Sequence, residues 1–592
     1  MTGLRRATVL ALLLACVLAL CLATACGPSF RPPEAGKVRL ALATEPFSFD
    51  PLHADSTSNQ VIQRQVLETL LEYHPTARPP SLQGLLAESW SASEDGATWE
   101  FTLREDALFH DPESPPLWPG ATRRVEPKDV LESWLRHADA RNQSHGWWAF
   151  EGLIEGLDAF REATSRGDEA AEAAWEVARR EGVDGFAILG PRHFRLALSR
   201  PELQFGNRAA SPYFAVLPAE ACSRAGDQFL NRPVGSGPFQ VRQWIPRIRL
   251  ILDATPQWRG QPDPSGGPSL PHAQEVDIRV VLEGSTRTLL FRNGEIDRLS
   301  PTQDSFDAFI VDGKLNPEAA GRGVRLFQAE FPDLTMVTFD MMDPVLGLVP
   351  GDLEGNASRL LLRQALALAF PYERWHNLIR NGTWARPATS FLPPSLVEAQ
   401  GAPPFPWKGQ DLEKASRFLA QAGHPGGEGL PRLRYELSGT DPVSRAQGDL
   451  FVDALAKIGI ACDSIPNPWP EFVSKTRQGR AQIFARLWAL DWPSAGNMLD
   501  LFHGPHSSPG INRSRFQHEG YDRLMGDYRV EADPMERIRL AHSMLEILNQ
   551  KIPAFPVDHR QGYLLVQPWL EGVVLHPFDP LPCKYLRVVP TP

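Results

Sequence analysis

Asp491 is the residue whose type and surroundings most invite chemistry. It stands in the stretch Arg486 to Asn497, R-L-W-A-L-D-W-P-S-A-G-N, with Trp488, Leu490 and Trp492 around it. A carboxylate in such company has few sequence neighbours to pair with, and burying an unpaired charge costs several kcal/mol even after relaxation. It must face water or receive a cation. A ligand ammonium would satisfy it, and a nearby indole face would add roughly 0.5–2 kcal/mol of cation–π attraction once water is excluded. The plainer alternative is that Asp491 caps the turn before Pro493.

Other chemistries have weaker support. His503-Gly504-Pro505-His506 has the most metal-like spacing, yet Gly-Pro between the histidines makes a loop, and there is no HExxH helix or nearby cysteine. The run Pro233-Val234-Gly235-Ser236-Gly237-Pro238 lacks the GKS or GKT of a phosphate loop and reads as a close-packed turn. No GxSxG elbow supplies a nucleophile, and Ser236 has no recognisable partner base. None of these patterns makes a catalytic or metal site, so no metal and no cofactor are expected, and a secreted peptidase is the enzyme alternative.

The elements around Asp491 can be read from the pattern. Ile483 to Trp488 is a short apolar run of the kind that forms a buried strand, and Pro493, Ser494 and Gly496 supply turn chemistry after it. Upstream, Tyr435 to Gly439 and Gln447 to Ile458 read as strand and helix, and Thr335 to Asp340 as a strand. Val38 to Ala43 is a first strand, Val61 to Tyr73 has helical spacing, and Thr98 to Leu103 alternates as a half-buried strand after the Asp95-Gly96 turn. Pro127 opens a helix through Trp134, and Pro534 to Gln550 is a long one.

At the N-terminus, Arg5 and Arg6 precede an apolar run from Ala7 to Ala25 that ends Leu22-Ala23-Thr24-Ala25-Cys26. A charged start, apolar core and small-residue site make a secretory signal. Residues 27–37, rich in proline, read as a tether. Cys16, Cys21 and Cys26 belong to the signal, leaving Cys222, Cys462 and Cys583, which are too few for a disulfide scaffold and leave one bridge open. The rest exceeds one hydrophobic core, so two or three domains are expected. A net charge of -11 argues against nucleic acid, and 55 prolines with 46 glycines suit a turn-rich α/β chain.

The order of motifs resembles the extracytoplasmic solute-binding proteins of peptide-type ABC importers, the oligopeptide- and dipeptide-binding family (family 5). Phe49-Asp50-Pro51, Leu86-Ala87-Glu88-Ser89-Trp90, Asp95 to His110, Val125 to Trp134, Pro233 to Phe239, Gly294-Glu295-Ile296-Asp297, Arg363 to Ala369 and the Asp491 stretch follow that family's sequence of motifs. Pro112 stands where its glycine usually sits, and Trp492 replaces the usual tyrosine. The N-terminal segment resembles a lipoprotein processing site with Cys26 lipidated, although Leu22 lies one position further from the cysteine than usual.

The resemblance implies a two-lobed periplasmic-binding-protein-like α/β fold of type II, enlarged by an extra subdomain. Residues 38–60, 203–286 and 557–592 would form lobe I, 61–202 the extra subdomain and 287–556 lobe II. It implies a monomer that closes on a short peptide and presents it to a membrane ABC permease, anchored by Cys26 at the periplasmic or outer face of a bacterial membrane. Asp491 would take the peptide α-ammonium, Trp488 would line a side-chain pocket, and Trp492 would stand beside them. Relatives on this fold that carry metal chelates, haem, sugars or cell-wall peptides keep a non-peptide solute as the alternative.

Overall fold

The computed structural model describes residues 34–589 apart from 54–55, 114, 227–228, 230, 312 and 580. The signal segment and Cys26 lie outside the described residues. Among these, no helix is long and apolar enough to cross a membrane.

Three sheets organise the chain. The first orders Lys37–Leu42, Glu275–Val280, Arg249–Ala254 and Phe239–Ile245; its first pair is parallel and the others antiparallel. The second, antiparallel throughout, orders Ala87–Ala92, Thr98–Leu103, His193–Ala197 and Phe186–Ile188. The third has eight strands along the path Arg298–Leu299, Ala554–Val566, Asp333–Phe339, Ile483–Ala489, Leu433–Leu437 and Cys462–Pro466, with Arg325–Glu330 and Ala385–Pro387 also pairing to Ala554–Val566. The expected 556/557 boundary falls inside Ala554–Val566, which pairs with Asp333–Phe339 at one end and Arg325–Glu330 at the other, so it stays one strand.

The chain crosses between the first and third sheets at Asp297, which is fully buried. Its carboxylate accepts the Arg39 backbone N–H and the Arg39 guanidinium, each at 2.6 Å, and the Trp569 indole N–H at 2.9 Å. Its own N–H donates to the Arg39 carbonyl at 2.8 Å, and its carbonyl accepts from Gln567 at 3.0 Å. One acid therefore ties the opening strand to both the outgoing and the returning crossing.

Val61 to Tyr73 is not one helix. Helix Thr57–Val66 ends at Leu67, whose backbone is extended, and Leu71–Tyr73 is a strand paired with Leu82–Gly84. The apolar spacing continues because every residue from Gln65 to Tyr73 is buried whichever element it occupies. The glycine-rich run explains the stop. Gly237 N–H donates to the Val66 carbonyl at 2.8 Å, and a Cβ on Gly235 would lie 2.0 Å from that oxygen. The run is a close-packed turn against a helix end. Cys222, Cys462 and Cys583 are free thiols.

Candidate functional site

Ile483–Ala489 is an inner strand of the third sheet, antiparallel to Asp333–Phe339 along its whole length and parallel to Leu433–Leu437. Its apolar N-terminal half, Ile483 to Ala485, is buried, as a strand flanked on both sides requires. Pairing ends when Leu490 N–H donates to the Pro332 carbonyl at 2.8 Å. The chain then turns through Asp491, Trp492 and Pro493 into the short helix Ala495–Leu499.

Ser494, not Asp491, caps that helix: its hydroxyl accepts the Gly496 N–H at 3.1 Å. Asp491 is held through its backbone instead. Its N–H donates to Asn497 Oδ1 at 2.9 Å, and the same oxygen accepts the Trp488 indole N–H at 3.3 Å. One amide thus fixes both residues and leaves the carboxylate free of backbone duty.

The carboxylate lies deep yet remains partly accessible. Among the described residues no cationic nitrogen lies within 4.0 Å of it. Burial pushes its pKa up to about 7, opposed by the Asn497 amide and by the more distant charges of Arg208 and Arg64. Arg208 is engaged elsewhere, donating to Glu202 at 2.7 Å and lying 4.0 Å from Asp500. Asp491 is thus a negative group whose ionisation the surrounding protein opposes.

Trp488, Asp491 and Trp492 are brought together, and a partner missed by sequence joins them from the body of the second sheet. Trp148 stacks on Trp492 with ring centroids 5.7 Å apart and meets Trp488 edge-on at 6.1 Å; Tyr213 packs against its other side at 5.5 Å. The expected cation–π role of the indoles is altered. Arg208 already lies over Trp492 at 4.5 Å, and Arg486 over Trp488 at 4.7 Å. The tryptophan faces hold protein guanidiniums rather than standing open to a ligand cation. Trp148, Tyr213 and Arg208 lie hundreds of residues from Asp491, and no local motif marks them. Asn497, six residues away, was within the stretch but carried no signal beyond its amide.

The structure adds Asp500 to His503 and His506, with potential ligand atoms within 4.8 Å of one another. Arg529 already donates to Asp500 at 2.6 Å and touches His503 Nδ1 at 3.4 Å. Burial holds both histidines down at about 4, reinforced at His503 by Arg529 and at His506 by Arg529, Arg200 and Arg208. The same positive field opposes a metal cation.

Comparison with known proteins places the chain in a family. The model for "Bacterial extracellular solute-binding proteins, family 5 Middle" matches residues 81–509. The chain belongs to that family. Among its relatives, Di/tripeptide-binding protein 2 of Pseudomonas aeruginosa is 24% identical over 80% of this chain and 80% of its own. Heme-binding protein A of Haemophilus influenzae is 24% identical over 90% of this chain and 89% of its own. The fold is that of the ABC transporter-associated periplasmic binding protein DppA of Helicobacter pylori, solved in complex with peptide STSA, with a TM-score of 0.73, 19% identity, and 93% of this chain and 98% of that one covered.

Proposed function

We propose that this protein captures short peptides outside the cytoplasm and passes them to an ABC importer, with Asp491 receiving the ligand ammonium. The observation that carries this reading is a deep carboxylate pushed up to about 7 by burial, with no ion-pair partner within 4.0 Å among the described residues, beside the packed indoles of Trp148, Trp488 and Trp492. An ammonium arriving there regains by pairing what Asp491 loses by burial. The relative that binds di- and tripeptides and the peptide-bound structure support the same ligand class.

In this reading the first two sheets belong to one lobe and most of the third to the other, and Asp297 secures the crossings between them. Closure brings Trp148 onto Trp492 and shuts out water, which strengthens the ammonium contact. The side chain of the bound peptide lies against Trp488. Cys26 is the lipidated first residue of a monomer tethered to the membrane; a mature mass that retains Met1, or an unmodified Cys26, would refute this.

Calorimetry with di- and tripeptides tests the ligand assignment. Binding should weaken at least tenfold on N-acetylation of the peptide and equally in Asp491→Ala. Acetylated and free peptides binding alike would remove Asp491 from the role. Incubation with peptides should yield no cleavage products.

A further inference from the structure

A small cavity lies where helix Thr57–Val66 and the segment that follows it meet the C-terminal residues Asp579, Pro582 and Lys584. About 40 Å³ of it is accessible to the centre of a water molecule, which is room for roughly three waters or a side-chain end of similar size. Two observations set it next to Asp491. Pro212 and Ala215, also in its wall, flank Tyr213, whose ring packs on Trp148 at 5.5 Å. The charge of Arg64, in the same wall, reaches both Asp491 and Asp579 through space.

Most polar groups in the wall are already spent. Arg259 donates to both Glu68 oxygens at 2.8 Å, and Lys584 donates to Glu72 at 2.6 Å and to Gln261 at 2.8 Å. The Gln65 amide donates to the Val61 and Leu581 carbonyls and accepts the Cys583 N–H, while the Thr69 hydroxyl donates to the Leu71 carbonyl. Three groups are left over. Gln63 is 1% exposed; its amide nitrogen donates to the Ser48 and Asp50 carbonyls, which fixes its orientation and leaves Oε1 buried without a donor. The half-buried Arg64 guanidinium makes no hydrogen bond and no ion pair among the described residues, unlike Arg287 and Arg363, which backbone carbonyls hold. Beyond the Leu581 backbone N–H, the Asp579 carboxylate has no donor among the described residues, and burial raises its pKa.

What remains is one donor fork and two acceptors around one small space. A carboxylate would suit Arg64 but face Gln63 Oε1 and Asp579, and an ammonium would suit those oxygens but face Arg64. A carboxamide offers a carbonyl on one side and N–H donors on the other, so it matches all three. We infer that this cavity receives the carboxamide side chain of a glutamine or asparagine in the bound peptide, its carbonyl on Arg64 and its N–H groups on Gln63 Oε1 and Asp579. The inference rests on the peptide reading of Asp491.

The test is calorimetry with dipeptides that carry Gln, Glu or Met in turn at each position beside alanine, on wild type, Arg64→Met and Asp579→Asn, with N-acetylated peptides alongside. Met keeps the chain length without the polar end. At one position the Gln peptide should bind wild type at least about tenfold tighter than its Glu and Met counterparts, because a site built to hydrogen-bond a group rejects analogues that lack it. That ratio should fall below about threefold in Arg64→Met. In Asp579→Asn the gap between Gln and Glu should close, since an amide there donates to a carboxylate. Equal binding of all three peptides by wild type, with N-acetylation still weakening each, would mean that the cavity holds water only; it would overturn this inference and leave the Asp491 reading standing. Failure of every peptide to bind would remove both. A Gln preference unchanged in both variants would overturn the assignment to this cavity.

Discussion

Asn497 Oδ1 accepts the Asp491 backbone N–H at 2.9 Å, so the aspartate's position is fixed while its carboxylate has no cationic partner within 4.0 Å among the described residues. The same amide oxygen takes the Trp488 indole N–H, locking wall and charge to one anchor. A group placed this firmly and left unpaired is poised for a partner that the chain does not supply.

Peptide affinity should therefore follow the ionisation of Asp491. Burial in this packed geometry pushes the carboxylate up to about 7, and it takes an ammonium only when charged. Affinity should be greatest between about pH 7 and 8, fall about tenfold per unit below 7 until the lower pKa of the complex is reached, and fall again above about 8 as the peptide α-amino group loses its proton. Titrations from pH 5 to 8.5 check this, and in Asp491→Asn the acid-side slope should vanish.

Asp491 should also cost stability wherever the packed geometry around it forms without a ligand ammonium. Its folded pKa is raised above the ordinary 3.8, so between those values the folded state holds the proton more tightly than the unfolded one. The penalty is absent below pH 3.8, grows as pH rises towards 7 and is fully present above. Asp491→Asn should melt roughly 1 °C or more above wild type at pH 7.5, with the gap closing towards pH 4. A lower melting temperature for the variant at pH 7.5 would mean that the carboxylate is already paired.

Arg208→Ala should destabilise strongly. Arg208 and Glu202 are both nearly buried, and removing the guanidinium strands Glu202 while stripping one face of Trp492. The expected loss is about 3–5 kcal/mol by urea denaturation, and Arg208→Lys should recover only part of it, because an ammonium neither forks nor stacks in the same way.

Asp297→Ala should cost about 3–5 kcal/mol as well, since it leaves the Arg39 guanidinium uncompensated and the Trp569 indole N–H without this acceptor. Asp297→Asn should cost less. Hydrogen exchange should show the loss first in Lys37–Leu42 and at Arg298–Leu299, the strands that meet at this acid.

Much of the fold was legible in the chain. Thr98–Leu103 and Ile483–Ala489 lie where alternation or an apolar run placed strands, and the helix opening at Pro127 begins on its proline. These signals are local: burial on one face, a turn dipeptide or a fixed φ acts within a few residues. The helix anticipated through Tyr73 failed because burial on all sides erases periodicity, and its end is set by Gly235 and Gly237, more than 160 residues away.

For the site, sequence alone determined that a carboxylate would leave a buried strand between two tryptophans without a local counterion. The tertiary structure decided what that means. It gave the capping duty to Ser494, set Trp148 against both indoles, covered their outer faces with Arg208 and Arg486, and kept every cationic nitrogen of the described residues beyond 4.0 Å from Asp491. Charge pairing and ring stacking act through space over a few ångströms, and only the folded chain fixes which distant residues come that close.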